Sequence, residues 1–182
     1  MTMLLAMCGS LRAGSSCKAL LEAAVLTAPV GMRMELYDGI GVLPHFNPDL
    51  DGDNPPAEVV ALRRAVGAAD GLLISCPEYA RGIPGSFKNA LDWLVGSSEF
   101  AGKSVALFNA SPRACEAQAA LRLVLQTMSA RLVEAASLTV PLLAAGLDGR
   151  GIAENVEIAS ALAAALGAMA QAIALGPGAG NS

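Results

Sequence analysis

Residues 71–94 have the sequence GLLISCPEYARGIPGSFKNALDWL, in which a short apolar run passes through a loop of prolines and glycines into an amphipathic segment. The run 71–76 is typical of a buried strand, and apolar residues recur at helical spacing from Phe87 to Leu94. Open α/β sheets are built from such units and bind ligands at the carboxyl ends of their parallel strands. We therefore expect the loop between this strand and this helix to border a site.

The rest of the chain also alternates between strand-like and helix-like segments. We predict strands at 3–8, 32–37, 72–76, 104–108 and 138–140, and helices at 15–26, 54–69, 85–94, 115–129 and 152–175. Asn54 is predicted to cap the second of these helices, with Pro55 at its first position. Strict alternation predicts an α/β fold, a doubly wound five-stranded parallel sheet with helices on both faces, for which the flavodoxin-like order 2-1-3-4-5 fits best. We predict a single domain at 1–176 and a flexible tail at 177–182.

Composition narrows the classes of partner. The 182 residues are 54% hydrophobic, which supports a large core, and the net charge of −4 without a basic run argues against nucleic-acid binding. The four cysteines form no C-x-x-C pair and there is one histidine, so we expect no metal site. The first residues lack the basic region of a signal peptide, and we expect a reducing cytoplasm.

The last part of the chain resembles a membrane span only superficially. Residues 158–182 carry no charge, but most of them are alanine and glycine. The larger apolar residues fall on one helical stripe: Ile158, Leu162, Leu166, Met169 and Ile173. This pattern favours a helix that covers the sheet, and we expect no membrane association.

The loop after the first strand, residues 9–16 (the first loop), is rich in hydrogen-bond donors. It carries hydroxyl groups on Ser10, Ser15 and Ser16 and a guanidinium group on Arg12, just before a predicted helix. A helix N-terminus with such donors suits a phosphate group. Two alternatives remain open. The loop could simply cap the helix, or Gly9 and Gly14 with Glu35 could form an incomplete dinucleotide-binding motif.

The loop after the third strand, residues 77–85 (the second loop), has a stiff backbone. Pro77, Gly82, Pro84 and Gly85 allow it to lie close to a flat ring, which Tyr79 could stack against. The alternative is an ordinary strand-to-helix turn.

These motifs together resemble the NADPH-dependent FMN reductase family. The resemblance is carried by Gly9-Ser10-Leu11-Arg12-x-Gly14-Ser15 and by Pro77-Glu78-Tyr79, Pro84-Gly85 and Lys88-Asn89-Ala90-Leu91-Asp92-Trp93. It implies a flavodoxin-like fold, an FMN cofactor, and transfer of hydride from NADPH or NADH through FMN N5 to a small acceptor such as free flavin or quinone. It also implies a cofactor site, with no catalytic side chain, at Ser10, Arg12, Ser15, Ser16, Cys17, Pro77, Glu78, Tyr79, Arg81, Gly82, Asn109 and Ser111. The first five would surround the phosphate, and the next five, Pro77 to Gly82 in that list, would line the ribityl chain and the ring. A homodimer or homotetramer is expected, since the open ring face is often bordered by a second subunit.

The chain departs from the family pattern at three places. Cys17 and Ala80 stand where the family often has asparagine, and the loop 109–115 (the third loop) is short and lacks the family's paired glycines. Two other functions remain open: a flavodoxin-like electron carrier without nicotinamide turnover, and a dinucleotide-binding dehydrogenase.

Overall fold

The computed structural model of the chain describes residues 1–142 and 146–176. The strands are β1 (Thr2–Cys8), β2 (Met32–Tyr37), β3 (Gly71–Ser75), β4 (Ser104–Asn109), β5 (Arg131–Leu132) and β6 (Leu138–Thr139). The helices are α1 (Ser16–Leu26), α2 (Ala57–Ala68), α3 (Gly85–Val95), α4 (Cys115–Thr127), α5 (Gly149–Glu154) and α6 (Val156–Leu175). The tail predicted at 177–182 lies outside the described residues.

The strands form one parallel sheet in the order β2-β1-β3-β4-β5, which confirms the predicted flavodoxin-like topology. β1 lies between β2 and β3, and its end residue Cys8 is in register with Ser75. From β1 the chain goes to β2 on one side of the sheet and then crosses to β3 on the other side, so the topological switch point lies between β1 and β3. The loops after these two strands and after β4 therefore meet at one edge of the sheet, where this fold class binds ligands.

Alternate residues of β1 supply the cores on the two faces of the sheet. Leu4 and Ala6 pack with α1 and α6, whereas Leu5 and Met7 pack with α2, α3 and α4. This alternation follows from the two-residue period of a strand. A parallel strand covered by helices on both sides needs apolar residues at successive positions, which explains the unbroken run at the start of the chain.

The predicted fifth strand at 138–140 is wrong in detail. Two short strands, β5 and β6, both pair with β4, and a 3₁₀ turn at Glu134–Ala136 separates them. The hydroxyl of Ser137 takes over part of the pairing, since its Oγ accepts a hydrogen bond from the Leu107 amide at 3.0 Å. A side chain replaces the backbone here, and the edge strand is therefore interrupted.

Two helix boundaries also differ from the prediction. The second helix begins at Ala57 and Asn54 does not cap it, because Pro56 forces the preceding Pro55 out of the helical region. The predicted last helix is two helices, α5 and α6, divided at Asn155. Its side-chain Oδ1 accepts a hydrogen bond from the Ile158 amide at 3.1 Å and caps α6.

Among the described residues, α6 is the one helix long and apolar enough to cross a membrane, with a mean hydropathy of 1.9. Leu162, Leu166 and Met169 are buried against the sheet, and Ile158 and Ile173 pack partly beside them, as the stripe predicted. The exposed side carries four alanines together with polar residues such as Glu157, Ser160 and Gln171. This explains why 22% of its most apolar window is buried although the helix covers the sheet.

Candidate functional site

A cavity of about 360 Å³ opens where β1, β3 and β4 end. Its lining comes from the three loops and consists of Ser10, Arg12, Ser15, Ser16, Cys17, Pro77, Glu78, Tyr79, Asn109, Ala110, Ser111, Arg113 and Ala114. The volume falls within the range of small-molecule sites, about 300–1,000 Å³. All the predicted site residues except Arg81 and Gly82 therefore lie together around one cavity.

β1 and β3 approach each other so closely at their ends that the first loop must start with glycine. A Cβ atom on Gly9 would lie 2.7 Å from the Sγ atom of Cys76. The Gly9 amide donates to the Ser75 carbonyl at 2.8 Å, which fixes this approach. The first loop is thereby held directly over the end of the neighbouring strand.

Ser10 links the first loop to the second. Its side chain is buried, and its Oγ atom accepts a hydrogen bond from the Arg12 amide at 3.3 Å. The same Oγ lies within hydrogen-bond distance, 3.1 Å, of the Tyr79 hydroxyl. The wall of the cavity is thus one connected polar surface, although 69 residues separate Ser10 from Tyr79.

The N-terminus of α1 faces the cavity with free donors. Ser15 stands at the N-cap position, but within the described residues its side chain accepts no hydrogen bond from the helix. The first-turn amide groups of Ser16 and Cys17 have no acceptor inside the helix, and this end carries the positive pole of the helix dipole. Arg12 is exposed at the rim and forms no ion pair with any described residue. The arrangement favours a bound anion over a self-capped helix.

Three buried thiols lie beneath the first loop. Burial raises the pKa of Cys17 to about 11, and it also raises the pKa of Cys8 and of Cys76. All three therefore stay neutral near pH 7 and are poor nucleophiles. No group of three His, Cys, Asp or Glu side chains that could hold a metal ion occurs within residues 1–142 and 146–176.

The second loop contains a tight two-residue turn. Tyr79 and Gly82 exchange two backbone hydrogen bonds of 3.0 and 3.1 Å, and the residues between them, Ala80 and Arg81, have φ angles of 49° and 60°. This left-handed backbone conformation is unfavourable for residues other than glycine and asparagine, by roughly 1–2 kcal/mol per residue. The turn reverses the chain after Tyr79. For this reason the predicted site residues Arg81 and Gly82 do not line the cavity, whereas Tyr79 stands at its edge with 52% of its surface exposed.

The third loop folds through side chains instead of glycines. The Asn109 Oδ1 atom accepts from the Ser111 amide at 3.1 Å, and the Ser111 Oγ accepts from the Arg113 amide at 3.2 Å. Both are local turns of the kind that Asn and Ser favour. Ala110, Arg113 and Ala114 also line the cavity and were missed from the sequence. Their position directly after a central strand was the signal that could have identified them.

Glu78 lines the cavity, and its carboxylate binds a backbone amide of α4. The Oε2 atom accepts a hydrogen bond from the Ala117 amide at 3.0 Å. Ala117 is the third residue of α4, so this carboxylate caps the helix that follows the third loop. The second and third loops are therefore joined here, as the first and second are joined at Ser10.

The conspicuous polar residues of α3 lie outside the cavity. The side chains of Asn89 and Trp93 donate to the Pro44 carbonyl at 2.9 and 2.8 Å, and the Asn89 Oδ1 accepts from the Phe46 amide at 2.7 Å. Trp93 is fully buried and packs edge-on against the Phe46 ring. These residues fasten the long loop after β2 to the fold.

The position of Glu35 does not support the alternative of a dinucleotide-binding motif. It pairs with Arg33 on the exposed side of β2 and does not line the cavity. The strand order 2-1-3-4-5 also differs from the order 3-2-1-4-5-6 of dinucleotide-binding folds.

Comparison with known proteins agrees with this geometry. The sequence model of the family described as NADPH-dependent FMN reductase matches residues 2–143. An NAD(P)H-dependent FMN reductase of Pseudomonas aeruginosa is 41% identical over 105 residues, 57% of this chain and 56% of that protein. A 2-hydroxy-1,4-benzoquinone reductase of a Burkholderia species is 43% identical over 107 residues, 57% of each chain. The chain thus spans little more than half the length of the curated relatives it matches.

A solved structure extends the likeness over most of the fold. FerB, a flavoenzyme NAD(P)H:acceptor oxidoreductase from Paracoccus denitrificans, has a TM-score of 0.72 and 26% identity, covering 94% of this chain and 98% of that chain. The strand order, the cavity at the strand ends and a family match over more than half of the sequence lead to one conclusion. The chain belongs to the NADPH-dependent FMN reductase family.

Proposed function

We propose that the chain is an FMN-dependent NAD(P)H oxidoreductase that delivers electrons to a small acceptor such as a quinone or free flavin. The observation that carries the proposal is a group of anion-binding donors at one end of the cavity. There the N-terminus of α1, which no side chain among the described residues caps, meets the hydroxyls of the first loop and Arg12, which forms no ion pair with a described residue. The activities for which the relatives are named, FMN reductase and benzoquinone reductase, support it.

The residues present fit FMN better than a nucleotide diphosphate. One helix N-terminus with three serines and one arginine provides donors for one terminal phosphate. The remaining wall has an apolar or aromatic part, formed by Pro77, Tyr79, Ala110 and Ala114, and a polar part, formed by Glu78, Asn109, Ser111 and a second arginine, Arg113. A flat ring system with polar edges, joined to one phosphate by a hydroxylated chain, matches this mixture.

In this proposal each loop has its own part in holding the cofactor. Ser10, Arg12, Ser15 and Ser16, with the first amides of α1, would hold the phosphate. The second and third loops, at Pro77–Tyr79 and Asn109–Ser111, would hold the ring and its chain. Arg81 and Gly82 would sit on the outer side of the tight turn, at the approach to the cavity, and not against the cofactor.

The chemistry that bound FMN supplies is two-electron transfer between NAD(P)H and the acceptor. The side chains around the cavity have the simpler tasks of binding and orientation. Among the described residues, the one carboxylate in the lining, Glu78, is engaged by an amide. The ring of Tyr79 remains half exposed at the edge, where a second flat molecule can approach.

We further propose that residues 1–176 act as one domain in the cytoplasm, as a homodimer or homotetramer. Four free cysteines suit a reducing compartment. Exposed apolar side chains lie on and beside the first loop: Leu11 is 59% exposed, a Cβ atom on Gly41 would lie 3.3 Å from its Cδ2 atom, and the next residue, Val42, is 69% exposed. Covering such side chains in a subunit interface is favourable. Light scattering coupled to gel filtration tests the assembly, and a monomer at micromolar concentration would overturn it.

Reconstitution tests the function. The purified chain is titrated with FMN, with quenching of flavin fluorescence as the measure of binding, and then supplied with NADPH or NADH and a benzoquinone. We expect one FMN per chain and nicotinamide oxidation that depends on both FMN and quinone. Failure to bind FMN at micromolar concentration would refute the proposal. Binding without nicotinamide oxidation would favour the electron carrier.

A further inference from the structure

The contact between Glu78 and α4 crosses the cavity wall between two loops that are far apart in sequence. Glu78 follows β3, whereas Ala117, whose amide donates to the Glu78 Oε2 at 3.0 Å, lies 39 residues later in the first turn of α4. Ala117 is fully buried. A carboxylate that accepts a buried amide at a helix N-terminus makes a charge-assisted hydrogen bond and also compensates the helix dipole.

The sequence of α4 cannot provide this cap itself. The residue at its N-cap position is Ala114, which has no acceptor in its side chain. The residues before it, Ser111 and Asn109, use their side-chain oxygens to fold the third loop. A helix that starts without a local cap leaves amide groups to be satisfied by water, by a ligand or by an acceptor from elsewhere in the chain, and the buried Ala117 amide needs such an acceptor. Glu78 is that acceptor for Ala117.

The two helix N-termini at the cavity are therefore in different states. The N-terminus of α1 has free amides and no capping side chain among the described residues, so it can receive a ligand anion. The N-terminus of α4 already holds a carboxylate. The third loop leads into α4, and its residues Ala110, Ser111, Arg113 and Ala114 form one wall of the cavity.

We infer that Glu78 is a positioning residue: its carboxylate holds the N-terminus of α4, and through it the third loop, in the place where that loop completes the cofactor cavity. The family resemblance placed Glu78 against the ribityl chain and ring, whereas this inference assigns its charge to the protein. The part that concerns ligand affinity rests on the proposed function. The part that concerns the loop is independent of it.

The test measures amide hydrogen exchange by NMR in the protein without flavin. Glu78→Ala removes the acceptor, and we expect exchange at Ala117 and in the third loop to accelerate at least tenfold. Glu78→Gln keeps an acceptor oxygen but no charge, and we expect a smaller acceleration of about threefold. Glu116→Gln is the matched control, because Glu116 is an exposed carboxylate in the same first turn and outside the cavity lining. It should leave exchange at Ala117 within twofold of the parent chain.

Flavin affinity provides the second measurement. If Glu78 acts through the third loop, FMN and riboflavin lose affinity by the same factor, about fivefold for Glu78→Ala, and Glu78→Gln recovers most of it. Unchanged exchange at Ala117 in Glu78→Ala would overturn the inference. A second result would also overturn it: Glu78→Gln and Glu78→Ala lose the same affinity while exchange at Ala117 stays unchanged. Glu78 would then contact the ligand directly. If the parent chain binds no FMN, the proposed function fails while the exchange result still decides the role of Glu78.

Discussion

Replacement of Arg12 by alanine tests the assignment of the cavity's anion-binding end. Arg12 lines the cavity from the first loop and forms no ion pair among the described residues, so its charge is available to a ligand. We expect Arg12→Ala to weaken FMN binding and to leave riboflavin binding unchanged, because riboflavin has no phosphate group.

The size of the effect follows from the exposure of the side chain. A hydrogen bond to a charged group contributes roughly 1.5–3 kcal/mol when it is shielded. An ion pair in full contact with water contributes about 0–1 kcal/mol. Arg12 is exposed, which lowers the expected effect, while the hydrogen bond from its backbone to Ser10 reduces the entropy lost on binding, so we place the effect between the two ranges. About 1.4 kcal/mol corresponds to a tenfold rise in the dissociation constant.

The assay is a fluorescence titration with FMN and with riboflavin at low and high salt. Arg81→Ala is the matched control, because it removes the same charge from a residue that does not line the cavity. The tenfold effect should shrink at high salt, where exposed charges are screened. Equal losses for the two flavins, or an unchanged FMN affinity in Arg12→Ala, would refute the phosphate assignment.

Three further predictions concern the second loop and the buried thiol of Cys17. In urea titrations, Ala80→Asn should raise the free energy of unfolding by about 0.5–1 kcal/mol and Ala80→Val should lower it. The reason is the φ angle of 49° at this position, which asparagine tolerates best among residues with a side chain. Equal effects of the two substitutions would contradict the strained turn. Between pH 9 and 11 the parent chain should lose about 2 kcal/mol more stability than Cys17→Ala. The unfolded thiol ionises from about pH 9.0, whereas burial keeps the folded thiol protonated to about pH 11. Gly82→Leu should keep FMN but slow its reduction by NAD(P)H, because in the proposed function the added bulk would stand at the approach to the cavity. A Cβ atom at Gly82 meets nothing closer than the Tyr79 carbonyl at 3.9 Å, so the fold can accept it, and Gly52→Leu, also in open space, is the control.

The topology could be predicted from the sequence because it depends on patterns that repeat along the chain. β1 and β3 are unbroken apolar runs, and the helices between them carry apolar stripes, so alternation alone indicated a parallel sheet. The errors arose where one side chain overrides a pattern. The hydroxyl of Ser137 interrupts the edge strand, and Asn155 divides the last helix by capping its second part.

The candidate site was predictable where a local sequence pattern indicates it. Ser10 and Arg12 lie in a donor-rich loop before a helix, and Tyr79 follows a buried strand, so these positions carry their own signal. The tight turn that takes Arg81 and Gly82 out of the cavity depends on left-handed backbone at Ala80, a residue that rarely adopts it. The bond between Glu78 and Ala117 spans 39 residues and depends on the folded sheet. Local sequence patterns do not carry such information.

Anaerobic stopped-flow mixing of the FMN-loaded chain with NADPH or NADH tests the central claim most directly. If the chain is an FMN-dependent NAD(P)H oxidoreductase, the yellow absorbance of the bound flavin should bleach at a rate of at least about 1 s⁻¹ with one of the two nicotinamides, and a quinone should restore it. A flavin that stays oxidised over minutes with both nicotinamides would contradict the account and leave an electron carrier in its place.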